Sequence, residues 1–267
     1  MALAITHIEA VAFNLPFAQV FEHWRIAGRT PDSAAAGYVL VRVHTNEGIV
    51  GLGEAGRFYE GESQFSVAHA VDRLFGPYVR GLDPLNRLAV HRKMERVAAG
   101  HSYAKAAIDV ALFDIAGKVY GVPSCIVLGG RLRDSVRVTA RVGAAESAMD
   151  VCDRAIAAAE QGYTCVKLKI GEDVDRDLRV LQNVRETVGH HMSIRLDANQ
   201  GYSRAHIPAL LRMDEFVPLV IEQPLPAEDV AGMRELAHLL VTPVMADEAA
   251  TSPQRIRDLV GLGPGLS

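Results

Sequence analysis

The sequence predicts an α/β protein in two parts: a small α+β unit, then an incomplete (β/α) barrel of the TIM type with about five β/α units. Three observations carry this. Three short strand patterns are followed by helical ones in the first half of the chain. From about Val136, strand and helix patterns alternate. Polar groups close the successive strands of that second half at near-constant spacing. Strands alternating with helices of ten to fifteen residues imply parallel strands joined by crossover helices, and the eight-unit barrel is the commonest closed form of that repeat. The division is expected near residue 125, giving parts 1–125 and 126–267.

In the first part, an apolar-rich strand runs from Ile5 to Leu15. A second, Tyr38 to His44, alternates so that Val39, Val41 and Val43 share one face. Thr45-Asn46-Glu47-Gly48 reads as a hairpin turn, and a return strand runs from Ile49 to Gly53-Glu54. Amphipathic helices are expected over Ser63–Tyr78, Leu85–Ala98 and Ser102–Tyr120. In the last, Ile108, Leu112, Ile115 and Val119 recur at helical spacing before Gly121 and Pro123 end it, and His101 stands ready as a cap. In the second part, strands are expected at Val136–Val142, Cys165–Ile170, Ser193–Ala198, Leu219–Gln223 and Pro243–Asp247. Helices are expected at Ala148–Gln161, Val174–Val188, Arg204–Met213, Ala227–Leu240 and Pro253–Val260, with Glu228 and Asp229 in a first helical turn.

Composition narrows the functions. A net charge of −4 gives no electrostatic pull toward nucleic acid or anionic lipid. No uncharged apolar run approaches the about 18 residues a membrane span needs, and no signal peptide is read at the N-terminus. Cys125, Cys152 and Cys165 are odd in number and unrelated in spacing, so neither a disulfide framework nor a zinc cluster is expected, and a cytoplasmic location is. Gly261 to Gly265 lacks the Lys-Ser/Thr of a phosphate loop, and His190 and His191 read as surface residues at a helix end.

The chemistry gathers at the strand ends. The second barrel strand closes on Lys167-Leu168-Lys169, the third on Asp197-Ala198-Asn199, the fourth on Glu222-Gln223-Pro224 and the fifth on Asp247-Glu248. One β/α unit separates each group from the next, so all are expected on one rim, the C-terminal face where barrel active sites sit. Asp197, Glu222 and Asp247 would then aim three carboxylates at one point. Like charges at close range raise each other's pKa, and a hard divalent cation relieves that; oxygen ligands favour Mg²⁺ or Mn²⁺ over zinc. Lys167 and Lys169, two apart, share one strand face, and Val166, Leu168 and Ile170 take the other. Each feature alone has a plainer reading. A strand-end acid usually caps the next helix, Lys-x-Lys is usually the wet face of an edge strand, and Glu-Gln-Pro is a turn. Their joint appearance at successive strand ends argues for a site.

Taken together, Lys-x-Lys, Asp-x-Asn, Glu-Gln-Pro and Ala-Asp-Glu resemble the muconate-lactonizing branch of the enolase superfamily. Gly51-Leu52-Gly53-Glu54-Ala55, the helix from Ala106-Ala107-Ile108-Asp109 through Asp114, and Ile126-Val127-Leu128-Gly129-Gly130 resemble that family's N-terminal capping domain and its link into the barrel. The resemblance implies Mg²⁺-assisted removal of the proton α to a small-molecule carboxylate through an enediolate, giving racemisation, epimerisation or cycloisomerisation. It implies Asp197, Glu222 and Asp247 as metal ligands, with Asp247 favoured over Glu248. Lys169 would be the base and Lys167 its electrostatic neighbour, with Asn199 and Glu248 beside them. No organic cofactor is implied; a homo-oligomer is. Phe17, Phe21, Trp24, Phe58 and Tyr59 would line a lid or a domain core. A lysine is a base only when neutral, a form that burial, a second ammonium and a nearby cation all favour.

The resemblance also implies a second base from a sixth strand, or a His/Asp dyad from the seventh and sixth. Neither is present before Ser267, and on the eight-unit count about three β/α units are wanting, so a truncated, frameshifted or incompletely represented product is expected. The alternatives are a catalytically impaired remnant that still binds metal, and a Schiff-base aldolase, which would leave the three acids unexplained.

Overall fold

The computed structural model describes residues 2–16, 35–56, 62–143 and 147–261. The five aromatic lid candidates, and the glycine-rich segment beyond Gly261, lie outside them. The chain divides after Ser135 into two compact units.

In the first unit, β1 (Ile5–Pro16), β2 (Ala35–Thr45) and β3 (Val50–Gly56) form an antiparallel sheet in that order. Alternation sorts the side chains: Ile8, Val39, Val41 and Val43 are buried. Their neighbours His7, Glu9, Arg42 and His44 take the opposite face. Gly48 takes the left-handed conformation that closes the β2–β3 turn. The helix expected over Ser63–Tyr78 is present but interrupted. α1 (Gln64–His69) opens on a reciprocal Ser63–Ser66 cap and passes through a π-helical stretch, Ala70–Phe75, into α2 (Gly76–Val79).

After α3 (Arg87–Val97) comes α4 (Ser102–Tyr120), the central helix of this unit, and then the short α5 (Ser124–Val127). Ala104, Ala107, Ile108, Ala111, Leu112 and Ile115 of α4 are buried with the inner face of the sheet; Val119, expected among them, is 37% exposed. His101 precedes α4 but makes no side-chain cap. Its backbone is left-handed, and its ring meets Phe75 edge-on and lies 3.4 Å from Glu62. Asp109 takes a two-pronged bond from Arg87 on α3, and Asp114 accepts from the Leu52 amide of β3 at 2.8 Å. The acids of this helix therefore tie it to its neighbours.

The second unit is a parallel sheet of β4 (Ala140–Gly143), β5 (Cys165–Lys169), β6 (Ser193–Asp197), β7 (Val220–Glu222) and β8 (Val244–Met245), in sequence order. The connecting helices are α6 (Ala148–Glu160), α7 (Val174–Val188), α8 (Ile207–Asp214) and α9 (Val230–Leu239), and α10 (Pro253–Val260) follows β8. These are the five strand–helix repeats expected from the pattern. Val166, Leu168, Ile194, Leu196 and Ile221 share one buried cluster with Leu181, Val184, Leu210, Met233 and Leu236 from the helices.

Boundaries differ where side-chain chemistry overrides periodicity. The first strand begins at Ala140, not Val136; Val136 and Val138 are 72% and 68% exposed, so no packing holds them in the sheet. The helix expected from Arg204 opens with a 3₁₀ turn, Arg204–His206, ahead of Pro208. Asp229 is not inside a first turn: its carboxylate accepts from Gly232 N and caps α9, which starts at Val230. Among the described residues no helix is long and apolar enough to cross a membrane.

Sheet and α4 pack backbone to backbone at Gly53, where a Cβ would lie 1.9 Å from the Ala107 carbonyl oxygen. Gly53→Val should therefore force the helix off the sheet and lower stability by about 1–3 kcal/mol or more, the usual cost of overpacking. Urea denaturation followed by circular dichroism checks this, and an unchanged midpoint would refute the close packing.

Candidate active site

Parallel pairing in register builds the site. Lys169 of β5 stands beside Asp197 of β6, and Asp197 beside Glu222 of β7; one step lower, Lys167 stands beside Arg195. With a side-chain period of two, all five project from the sheet face away from the helices. The alternate residues bury in the apolar layer, so a slip of one residue would drive four or five charges into it. The register is thus fixed by the same pattern that assembles the polar row.

The row is continuous. Lys167 Nζ lies 2.8 Å from Glu222 Oε1 and 2.7 Å from Asp197 Oδ2. Lys169 Nζ lies 2.6 Å from the same Asp197 oxygen and also donates to Asn199 Oδ1. Asn199 Nδ2 then donates to Glu248 Oε1 at 3.0 Å. Six of the seven residues singled out in the sequence therefore form one chain of contacts. Asp197 is 1% exposed. Burial pushes its carboxyl up, but the bonds from Lys167 and Lys169 outweigh that and hold it below the usual value.

Asp247 stands apart. Glu222 pairs with Met245, the last residue of β8, so Asp247 lies two residues further along the chain, past the end of the strand. The equal sequence intervals conceal this offset. Asp197, Glu222 and Asp247 accordingly do not bring three oxygens within 4.8 Å of one another, and Lys167 spans the first two. Desolvation, then Glu248 and Asp197, push the Asp247 carboxyl above its ordinary value, against the opposing pull of Lys167 and Lys169. Glu248 Oε2 is buried without a partner. An all-oxygen donor set with one raised carboxyl and one orphaned carboxylate oxygen fits a hard divalent cation.

Three supports were not singled out by sequence reasoning. Arg195, at the lower level, donates to Glu222 Oε2 at 3.3 Å. Gln223, fully buried with a left-handed backbone, accepts from the amides of Asp247 and Ala249 at 2.9 and 3.0 Å and donates to Leu225 O. In the sequence it stands only within Glu-Gln-Pro, as a turn and as part of the family resemblance, with no role of its own. Behind Lys169, the Gly171 amide donates to Asp177 Oδ2 at 2.8 Å, and Tyr202 OH donates to the same oxygen. Gly171 has φ +106°, and a Cβ there would meet the Ala198 carbonyl at 2.4 Å, so the loops after β5 and β6 interlock. The Arg195 signal was legible in its period-two relation to Asp197; the Tyr202–Asp177 contact, 25 residues apart, was not.

Comparison with known proteins gives concordant matches. Residues 22–129 match the family model described as the mandelate racemase/muconate lactonizing enzyme N-terminal domain, and residues 150–264 match that of the enolase C-terminal domain-like family. The chain is 33% identical over 228 residues to the N-succinyl-L-Arg/Lys racemase of Bacillus cereus, covering 84% of this chain and 62% of that protein. It spans, that is, about three fifths of that relative's length. The muconate lactonizing enzyme of Pseudomonas fluorescens, solved with muconolactone, superposes with a TM-score of 0.91 at 31% identity, over 98% of this chain and 71% of the other. The dipeptide epimerase of Enterococcus faecalis, solved with Mg and the dipeptide L-Leu-L-Tyr, gives 0.87 at 27% identity, over 97% and 72%.

The Gln223 clamp should be measurable directly. Gln223→Leu removes the acceptor of two amides and the donor to a carbonyl in a buried setting, at about 1–3 kcal/mol for each group left unsatisfied. The Asp247 and Ala249 amides should lose protection in hydrogen exchange while β5 and β6 amides keep theirs; retained protection at both would show that Gln223 holds nothing.

Proposed function

The chain belongs to the mandelate racemase/muconate lactonizing enzyme family, and from that premise we propose that its residues remove the proton α to a carboxylate of a small-molecule substrate, as part of a racemase, epimerase or cycloisomerase. The observation that carries this reading is the in-register row Lys169–Asp197–Glu222, which sets an ammonium 2.6 Å from a buried carboxylate on the next strand. Residues 1–125 act in this reading as the capping domain and residues 126–267 as the catalytic one.

Asp197, Glu222 and Asp247 would hold Mg²⁺, or Mn²⁺, with Glu248 and its orphaned oxygen alongside. When bound, such a cation supplies Lewis acidity to the substrate carboxylate, spreading the charge that deprotonation adds. Lys169 takes the proton, forming the enediolate. It can do so only in its neutral form, and it stands bonded to Asp197 and Asn199. Lys167, two residues away on the same face, places a second positive charge beside it and shares the Asp197 oxygen. Asn199 orients Lys169 and Glu248 together. Arg195 holds Glu222 from below. The free thiols at Cys125, Cys152 and Cys165 suit a cytoplasmic location. Self-association into a homo-oligomer is part of the same reading.

The test is exchange of the substrate α-hydrogen in D₂O, followed by proton NMR, with N-succinyl amino acids, dipeptides and muconolactone as probes and Mg²⁺ in excess. Exchange that needs Mg²⁺ and is lost in Lys169→Ala, with the fold intact by circular dichroism, is expected. Absence of exchange from every probe would refute this reading.

Metal binding has a separate readout. At 100 times its dissociation constant, a ligand of the native state alone stabilises by about 2.7 kcal/mol. Mg²⁺ should raise the melting temperature of the chain, and the rise should vanish in Asp197→Asn. A Mg²⁺-dependent rise without hydrogen exchange would favour the impaired remnant that retains its metal.

A further inference from the structure

The exposed face of the N-terminal sheet carries a cluster that the proton-transfer reading does not use. His7 and His44 are cross-strand partners on β1 and β2, their rings 5.4 Å apart. Glu9 lies two residues along β1 from His7 and therefore on the same face. One ligating atom from each of His7, Glu9 and His44 lies within 4.8 Å of the other two, and among the described residues this is the one such set of three histidine, cysteine or acidic side chains. The opposite face at this level is Ile8 and Val43, 5% and 0% exposed, so the sheet beneath the cluster is anchored by the core.

We propose that His7, Glu9 and His44 form a second metal site, for a borderline transition ion such as Zn²⁺, Ni²⁺ or Cu²⁺. Two imidazoles and one carboxylate are the donor set such ions take, in contrast to the all-oxygen set at the strand ends of the second unit. Tetrahedral zinc with ligands at about 2.0–2.2 Å holds its donor atoms about 3.4 Å apart. Donor atoms all within 4.8 Å of one another leave at most about 1.4 Å to close by rotation of partly exposed side chains. The Glu9 carboxylate is already held among these groups by contacts with His44 and Arg42. Both bonds fall on Oε1, with His44 Nε2 at 3.2 Å and the Arg42 guanidinium at 2.9 Å, which leaves Oε2 as the oxygen for the ion. Arg42 is the competitor. Its charge compensates Glu9 in the metal-free state and opposes a cation in the bound one.

Zinc titration of the full chain, with Mg²⁺ in excess to occupy the strand-end acids, tests this by competition with a chromogenic chelator. The wild-type chain should bind one more equivalent of Zn²⁺ than a His7→Ala/His44→Ala double variant, and equal stoichiometry would overturn the site. Should the double variant fail to fold, Arg42→Ala decides. Removing the competing guanidinium should tighten Zn²⁺ binding relative to wild type, and unchanged or weaker binding would overturn the proposal. Neither readout depends on proton exchange at Lys169, so the two readings stand or fall separately.

Discussion

Asp197 cannot be buried alone. A carboxylate removed almost wholly from water is costly unless it is paired and hydrogen-bonded, and this one is 1% exposed. Two ammonium groups from the neighbouring strand meet one of its oxygens, and the Asn199 amide meets the other at 3.1 Å. Everything around the site follows from that requirement. Lys167 and Lys169 must lie on one face of β5, which fixes their spacing at two. β5 must pair with β6 so that Lys169 falls beside Asp197, and Glu222 of β7 must share Lys167. A shift of one residue in any of these strands would break the pairing and bury charge among the valines and leucines beneath the sheet.

The loops above the strands are held by polar clamps of the same kind. Gln223 satisfies two amides of the segment after β8 and one carbonyl of its own loop. Asp177 and Tyr202 do the equivalent for Gly171 after β5. Burial pushes both of those side chains up, the Asp177 carboxyl and the Tyr202 hydroxyl alike, so each is held in the low-dielectric layer by its hydrogen bonds. Asn199, Gln200 and Gln223 all adopt left-handed backbone conformations, at φ of 41°, 66° and 37°. Side-chain-bearing residues held in unfavourable backbone regions cost about 1–3 kcal/mol each, and persist where their surroundings over-determine them. Here the surroundings are the clamps, and the result is a rim that turns Asn199 toward Lys169 and Glu248.

The sequence made the order of the elements and the polar row readable, because both rest on short-range periodicity. Helical spacing located α4 and α7 to the residue, and strand alternation placed Lys167 and Lys169 together. Legibility failed where a contact spans distant segments. The constant 25-residue interval suggested that Glu222 and Asp247 stand level, but strand pairing matches Glu222 with Met245, and loop length absorbs the difference. Nothing in Glu222-Gln223-Pro224 separates a turn from a three-bond clamp until the amides of Asp247 and Ala249 are brought to it. Asp229 and Ser63 show the same limit on a smaller scale: the sequence pattern puts both inside helices, and the bond each makes sets it instead as the cap before the first turn.

In the proposed reading the lysines have two incompatible duties. As counter-ions to Asp197 and Glu222 they must be charged, and each charge-assisted bond contributes about 1.5–3 kcal/mol. As a base, Lys169 must be neutral. Both cannot hold at once unless another positive charge takes over the acids. The raised Asp247 carboxyl and the unpartnered Glu248 oxygen are consecutive residues just past the end of β8. In the proposed reading a cation held by these acids would supply that charge. Its affinity would be set by the lysine contacts it replaces as much as by the acids it gains. In that reading the lysines pair with the acids until a cation is bound.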